Sequence, residues 1–299
     1  MSGAVAAERP WTARRTAWRA AWRRLASDRR LLLELFVVSN LAFLVLDVWI
    51  AHSVNAFRDP LEWVPVVFAA AGSIALAAVL AAGRGGRAGE RDGRIWRWTG
   101  FAVGWAAIAV GVWGLLLHLE SRFFREATLD SLVYSAPFAA PLAFAGLGFL
   151  LLLDRMVPPR SVEHARWVVF LALGGFVGNF ALSLADHAQN GFFHAAEWLS
   201  VAAAAFAVAF LALVVARPGD RGLRRACYAV LAFQVVVGVA GFALHLAAAA
   251  RGPAGLLDDV LYGAPVFAPL LFADLAALGG LGLWELEDAV GAAGTGLVT

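Results

Sequence analysis

Eight apolar stretches, near residues 31–52, 63–82, 98–119, 134–153, 166–188, 197–216, 226–249 and 258–284, constrain this chain more than any other feature. Each reaches or approaches the roughly 20 residues a helix needs to cross about 30 Å of hydrocarbon. They leave only 15% of the chain charged and give it a mean hydropathy of +0.73, far from the balance of a soluble domain. No run of alternating polar and apolar residues suggests barrel strands. The pattern predicts an all-α, polytopic integral membrane protein with eight transmembrane helices and the lipid bilayer as its main partner. The single Cys227 can form no internal disulfide.

Charge between the stretches predicts the direction of insertion. All 24 basic residues are Arg, and 20 of them fall in the N-terminal segment and the 83–97, 155–166 and 217–225 connections. The alternate connections carry only Arg58, Arg122, Arg125 and Arg251. Arginine is retained on the cytoplasmic side, so both termini are expected in the cytoplasm of a bacterial inner membrane. The opposite face carries Asp59, Glu62, Glu120, Glu126, Asp130, Glu197, Asp258 and Asp259 against those four Arg. Such an acidic rim draws cations and excludes nucleic acid as a partner. Residues 1–30 read as an amphipathic interfacial helix, with Trp11, Trp18, Trp22 and Leu25 on one face and Arg19, Arg23 and Arg24 away from it.

Three segments recur in order. HSVNAFRDPLEW (52–63) matches HAQNGFFHAAEW (187–198) at His, Asn, Phe, Glu and Trp. GVWGLLLHL (111–119) matches GVAGFALHL (238–246) at six of nine positions, and YSAPFAAPLAFAGL (134–147) matches YGAPVFAPLLFADL (262–275) at nine of fourteen. These matches predict two tandem four-helix repeats, 31–154 and 166–288, joined by a cytoplasmic linker at 155–165 and followed by a cytoplasmic tail at 289–299. An even number of crossings per unit makes the repeats parallel, related by an axis along the membrane normal. Pro137, Pro141, Pro265 and Pro269 are expected to kink the fourth and eighth spans near their outer ends.

The repeated polar residues are the candidate site. His52, Glu62 and His118, mirrored by His187, Glu197 and His245, supply two imidazoles and one carboxylate per unit, a donor set suited to a transition metal ion. If the two sets meet on the axis they form a carboxylate-bridged dinuclear centre; otherwise they form two sites. Tyr134 and Tyr262 are possible accessory ligands, as are Asp47 and Asp186 deeper in the spans, while Asn55 and Asn190 shape the outer turns. The pairs His52/His118 and His187/His245 also suit axial ligation of haem, although their place at the span ends argues against a buried haem. Asp274 is an unpaired intramembrane acid, a candidate for a cation or proton path with Asp47 and Asp186. The plan of eight spans in two four-helix units is similar to that of the haem A synthases, but no motif is shared, so the resemblance implies architecture alone.

Two chemistries follow from this set: redox catalysis on a lipophilic substrate such as quinol, or capture of a small cation by a metal or proton-coupled transporter. A structural membrane subunit without cofactor is the third reading. The orientation itself is checked by accessibility: single cysteines placed in the 155–165 and 217–225 connections should react with a membrane-impermeant thiol reagent only after the cells are opened, and one at Ala56 should react in intact spheroplasts.

Overall fold

The computed structural model describes residues 28–83, 90–134 and 136–294. It is 82% helical, with no strand among the described residues. Eight long helices carry the fold: α1 (Arg29–Ser53), α2 (Trp63–Gly83), α3 (Glu90–Ser121), α4 (Leu142–Met156), α5 (Val162–Gln189), α6 (Glu197–Ala216), α7 (Arg221–Ala249) and α8 (Leu270–Gly294). Six of them, α1, α2, α3, α5, α6 and α7, are long and apolar enough to cross a membrane, so the chain has the character of a multi-pass membrane protein. The amphipathic segment expected at 1–30 lies outside the described residues apart from its last three. The tail expected from 289 is helical to Gly294 as the end of α8.

The two remaining stretches are shorter as helices than their apolar runs. Residues 136–141 form turns, and α4 begins only at Leu142; its 15 residues span about 22 Å at 1.5 Å each. The last stretch is divided into a short helix, Leu256–Tyr262, and α8, with turns between them. In both places the prolines explain the difference. Pro141 and Pro269 stand immediately before α4 and α8 rather than inside them, because a ring without an N–H fits the first turn of a helix and not its middle. The expected kinks are breaks.

Helix starts on the Arg-rich side are fixed by side-chain caps. Asp28 accepts from the Leu31 N–H, Ser161 from His164 and Asp220 from Leu223, at 3.0–3.1 Å. Packing between helices relies on small residues, as expected where lipid supplies no hydrophobic drive. The most extensive contact joins α3 to α4. A Cβ on Gly111 would lie 2.6 Å from the Ala145 nitrogen and 2.8 Å from the Pro141 carbonyl oxygen. The counterpart Gly238 on α7 would meet the Pro269 carbonyl at 2.8 Å and the Ala273 nitrogen at 3.0 Å. The buried core, with Leu33, Val37 and Leu41 on α1, Phe176 on α5 and Ala203, Ala207 and Leu211 on α6, extends through both halves. The short outer helix Leu129–Val133 leans on α5, and Leu256–Tyr262 leans on α1, so each half reaches across to the first helix of the other.

These backbone approaches make a directional prediction. Gly111→Leu and Gly238→Leu force backbone apart and should each destabilise the fold by about 1–3 kcal/mol, whereas Gly146→Leu, which meets nothing within 4 Å, should change stability by about 0.5 kcal/mol or less. Thermal unfolding in detergent distinguishes the two cases.

Candidate functional site

The repeated string beginning at His52 encodes the same loop twice. At the end of α1, the His52 carbonyl accepts from the backbone N–H of Asn55 at 3.0 Å and of Phe57 at 3.4 Å. At the end of α5, the His187 carbonyl accepts from Asn190 at 3.2 Å and Phe192 at 3.0 Å. Both loops then adopt left-handed backbone, with φ of +55° and +49° at Ala56 and Phe57, and +67° and +52° at Gly191 and Phe192. A bulky residue in that region carries about 1–2 kcal/mol of strain. The compensation is aromatic: Phe57 stacks on Trp63 at 4.1 Å between centroids and Phe192 on Trp198 at 3.9 Å. Each Phe also lies beside its imidazole, at 6.1 Å from His52 and 6.0 Å from His187. The recurring Phe and Trp identities are the wall against which each imidazole lies.

Carboxylates enter from the next helix. A single 3₁₀ turn, Pro60–Glu62, capped by Asp59, delivers Glu62 at the head of α2. Glu197 opens α6 and holds the His194 N–H through Oε1 at 3.3 Å. His52 Nδ1 lies 3.8 Å from Glu62 Oε2, and His187 Nδ1 lies 3.4 Å from Glu197 Oε2. Both Oε2 atoms are buried and accept no hydrogen bond.

The second imidazole of each unit is held by backbone. His118 Nδ1 stands 2.9 Å from the Pro137 carbonyl oxygen, and His245 Nδ1 stands 2.9 Å from that of Pro265. A carbonyl only accepts, so Nδ1 carries the hydrogen and Nε2 keeps the lone pair. His52 and His118 are neighbours, with ring centroids 6.3 Å apart.

Other candidates lie apart. Tyr134 and Tyr262 are 51% and 64% exposed and stand outside these contacts. Asn190 donates to the Asp186 carbonyl at 3.5 Å, a turn contact like those of the loop backbone. Asp274, expected to be unpaired, accepts from Asn40 Nδ2 at 2.9 Å and ties α8 to α1. No hydrogen bond or ion pair among the described residues links Asp47, Asp186 and Asp274 into a path or joins the first His/Glu set to the second. Among the described residues, no three His, Cys, Asp or Glu side chains form a group able to hold a metal ion.

A second polar cluster, at the Arg-rich end, escaped the sequence reading. Glu34, Asp154, Arg155, His164 and Glu285 are buried there, from α1, α4, α5 and α8. Arg155 pairs with Glu34 and with Asp154 (2.6 Å to the latter), and its guanidinium lies over the Trp96 ring. Glu34, three residues into an apolar stretch, was the available signal; an acid in that position must find a partner.

No family model, curated protein or solved structure matches this chain. The aromatic wall is testable on its own terms. Phe57→Ala should remove the stack on Trp63, lower thermal stability by about 0.5–1.5 kcal/mol and alter the near-ultraviolet circular dichroism, and Phe192→Ala should do the same at Trp198.

Proposed function

We propose that this chain is an eight-span protein of the bacterial inner membrane, built as two tandem parallel four-helix units with both termini cytoplasmic. In this reading, paired imidazoles at the extracytoplasmic end of each unit hold a redox metal, as haem iron or another transition metal ion. Electrons are exchanged there with a lipophilic partner such as a quinol. The repeated loop geometry and the Arg-rich connections on one side support the topology.

One observation carries the functional reading. His118 and His245 are held through Nδ1 by the Pro137 and Pro265 carbonyls at 2.9 Å, while His52 and His187 lie beside the Glu62 and Glu197 carboxylates, Nδ1 to Oε2 3.8 and 3.4 Å, without a hydrogen bond. Metal-ligating histidines are held in this way through the nitrogen that does not bind the metal, which fixes the tautomer and the ring orientation. The Nε2 atoms of His118 and His245 are therefore left as ligands. The donor set fits a group that needs two axial nitrogens better than a bare ion that needs a full protein shell. His52 and His118, whose ring centroids are 6.3 Å apart, would be the residues that hold such a metal in the first unit. Glu62 and Glu197 then act as orienting partners, not ligands. Such a metal supplies one-electron chemistry when bound; the chain's own residues orient the rings and keep the pocket walled by Phe57 and Phe192.

A second reading, cation capture for transport, is favoured by the buried, unpartnered Oε2 atoms of Glu62 and Glu197 on an acidic rim. Elemental analysis with an optical spectrum of the detergent-purified protein separates the two. Stoichiometric metal or a Soret band, reduced by at least half in His118→Ala/His245→Ala, supports the redox centre. Exchangeable binding with uptake into proteoliposomes supports transport. A His52→Ala/His187→Ala protein that folds and carries the same metal and optical content as the parent overturns the metal reading.

A further inference from the structure

The interior of α5–α8 carries polar groups at positions where the interior of α1–α4 is apolar. Ala172, Phe176, Asn179 and Ser183 lie on the buried stripe of α5, and Cys227, Leu231 and Gln234 on that of α7. Asn179 is 4% exposed and Gln234 0%. Two hydrogen bonds set the level of these side chains. The Ser183 and Ser200 hydroxyls are 2.8 Å apart, which fixes α5 against antiparallel α6, so Asn179, one turn further from His187, stands level with Ala203 and Ala204. Gln234 Nε2 donates to the Ala203 carbonyl at 3.0 Å, which brings α7 to the same level. Asn179 and Gln234 therefore share one layer, about 12 Å along α5 from His187.

Counted through the recurring segments, the same layer of α1–α4 holds Leu44 in place of Asn179, Phe68 and Ala69 in place of Ala203 and Ala204, and Ala107 in place of Gln234. Phe68 fills the space there, with its ring 5.9 Å from that of Phe144. In α5–α8, Phe272 keeps the Phe144 position, but Ala203 offers it no ring. Two amides stand where that room opens. Gln234 Oε1 and Asn179 Nδ2 are both buried, and neither has a hydrogen-bond partner among the described residues. One is an acceptor and the other a donor, and leaving either unsatisfied between packed helices is costly. A water molecule answers both, donating to the first and accepting from the second, and buried waters are held by otherwise unsatisfied groups of this kind. Hydroxyls continue the polar line toward the His187 end of α5. Ser183 stands one turn from Asn179 on the same stripe, and Ser200 donates to the Glu197 carbonyl at 2.8 Å. Val48 and Pro65 occupy the corresponding positions of α1 and α2.

We propose that the Asn179–Gln234 layer is a buried water site, built into α5–α8 and without a counterpart in α1–α4, and that Ser183 and Ser200 continue it toward Glu197. The two His/Glu sets then differ in what lies behind them, although their loops match: His187 and Glu197 back onto a hydrated interior, His52 and Glu62 onto an apolar one. The site rests on the amides and hydroxyls alone and stands whether or not the imidazoles hold a metal.

Magnetisation transfer from water to side-chain amides tests this in the full chain reconstituted in lipid nanodiscs. Gln189 and Gln234 are the two glutamines of the chain. Nitrogen-15 labelling of glutamine side chains therefore gives two signals, and Gln189→Glu shows which belongs to the exposed residue. Wild-type Gln234 should receive magnetisation from water. The transfer should fall by at least half in Asn179→Leu, which removes the donor and matches the Leu44 position. Ala203→Phe, which supplies the ring present at Phe68, should reduce it likewise and serves if Asn179→Leu does not fold. Absence of transfer to Gln234 in the wild type, or a transfer left unchanged in either variant that folds, overturns the proposal.

Discussion

Hydrocarbon offers no partner to a peptide group, and the cost of an unsatisfied N–H or carbonyl there, several kcal/mol, sets the terms for everything else in this fold. A helix meets the requirement internally. Where proline prevents it, the chain must leave the hydrocarbon or find another partner. This protein does both at the outer ends of α4 and α8. The turns at 136–141 and before α8 precede those helices, and the carbonyls of Pro137 and Pro265 are taken up by His118 and His245. The interruption of a helix thus becomes the clamp of an imidazole. The same turns bring the backbone of Pro141 and Pro269 against Gly111 and Gly238, where a larger residue has no room.

Polar groups are handled differently at the two ends of the bundle. At the end away from the Arg-rich connections, the His/Glu pairs keep about a fifth of their side-chain surface exposed, and the Oε2 atoms of Glu62 and Glu197 lack hydrogen bonds. Partial hydration makes that tolerable, and it leaves chemistry available. At the Arg-rich end, the charged residues are almost wholly enclosed and each faces a partner, since an isolated buried charge would neutralise or unfold the protein. The first arrangement is partly exposed; the second is closed and joins α1, α4, α5 and α8. Breaking one contact of the closed network leaves its partner uncompensated, so its members stand or fall as a group.

Strain points to the same outer site. Phe57 and Phe192 hold left-handed backbone that Gly would adopt freely, and one of the two loops does use Gly191 at the preceding position, where the other has Ala56. A bulky ring kept there in both loops is supported by the stacks on Trp63 and Trp198. The identities that recur in the sequence are therefore those of a three-part wall of His, Phe and Trp with a carboxylate behind it. From sequence, His and Glu stand out as donors and Asn as a turn former, whereas the recurring Phe and Trp carry no assigned role, because a ring's identity does not reveal what it stacks on.

Hydropathy and periodicity alone determined that the chain is helical and membrane-bound, that its arginines separate to one side and that its polar residues recur in pairs, since those properties are local or depend only on order along the chain. The starts of the fourth and eighth stretches were placed too early, because an apolar run does not reveal where prolines delay a helix. Only tertiary structure decided which nitrogen of each imidazole faces an acceptor, that Tyr134 and Tyr262 stand away from the site and that Asp274 has Asn40. It alone assembled the inner cluster, whose partners His164 and Glu285 are 121 positions apart and Arg30 and Asp154 124. The physical reason is that a buried charge is tolerated only against its partner, and distance along the chain carries no information about which helix ends are brought together.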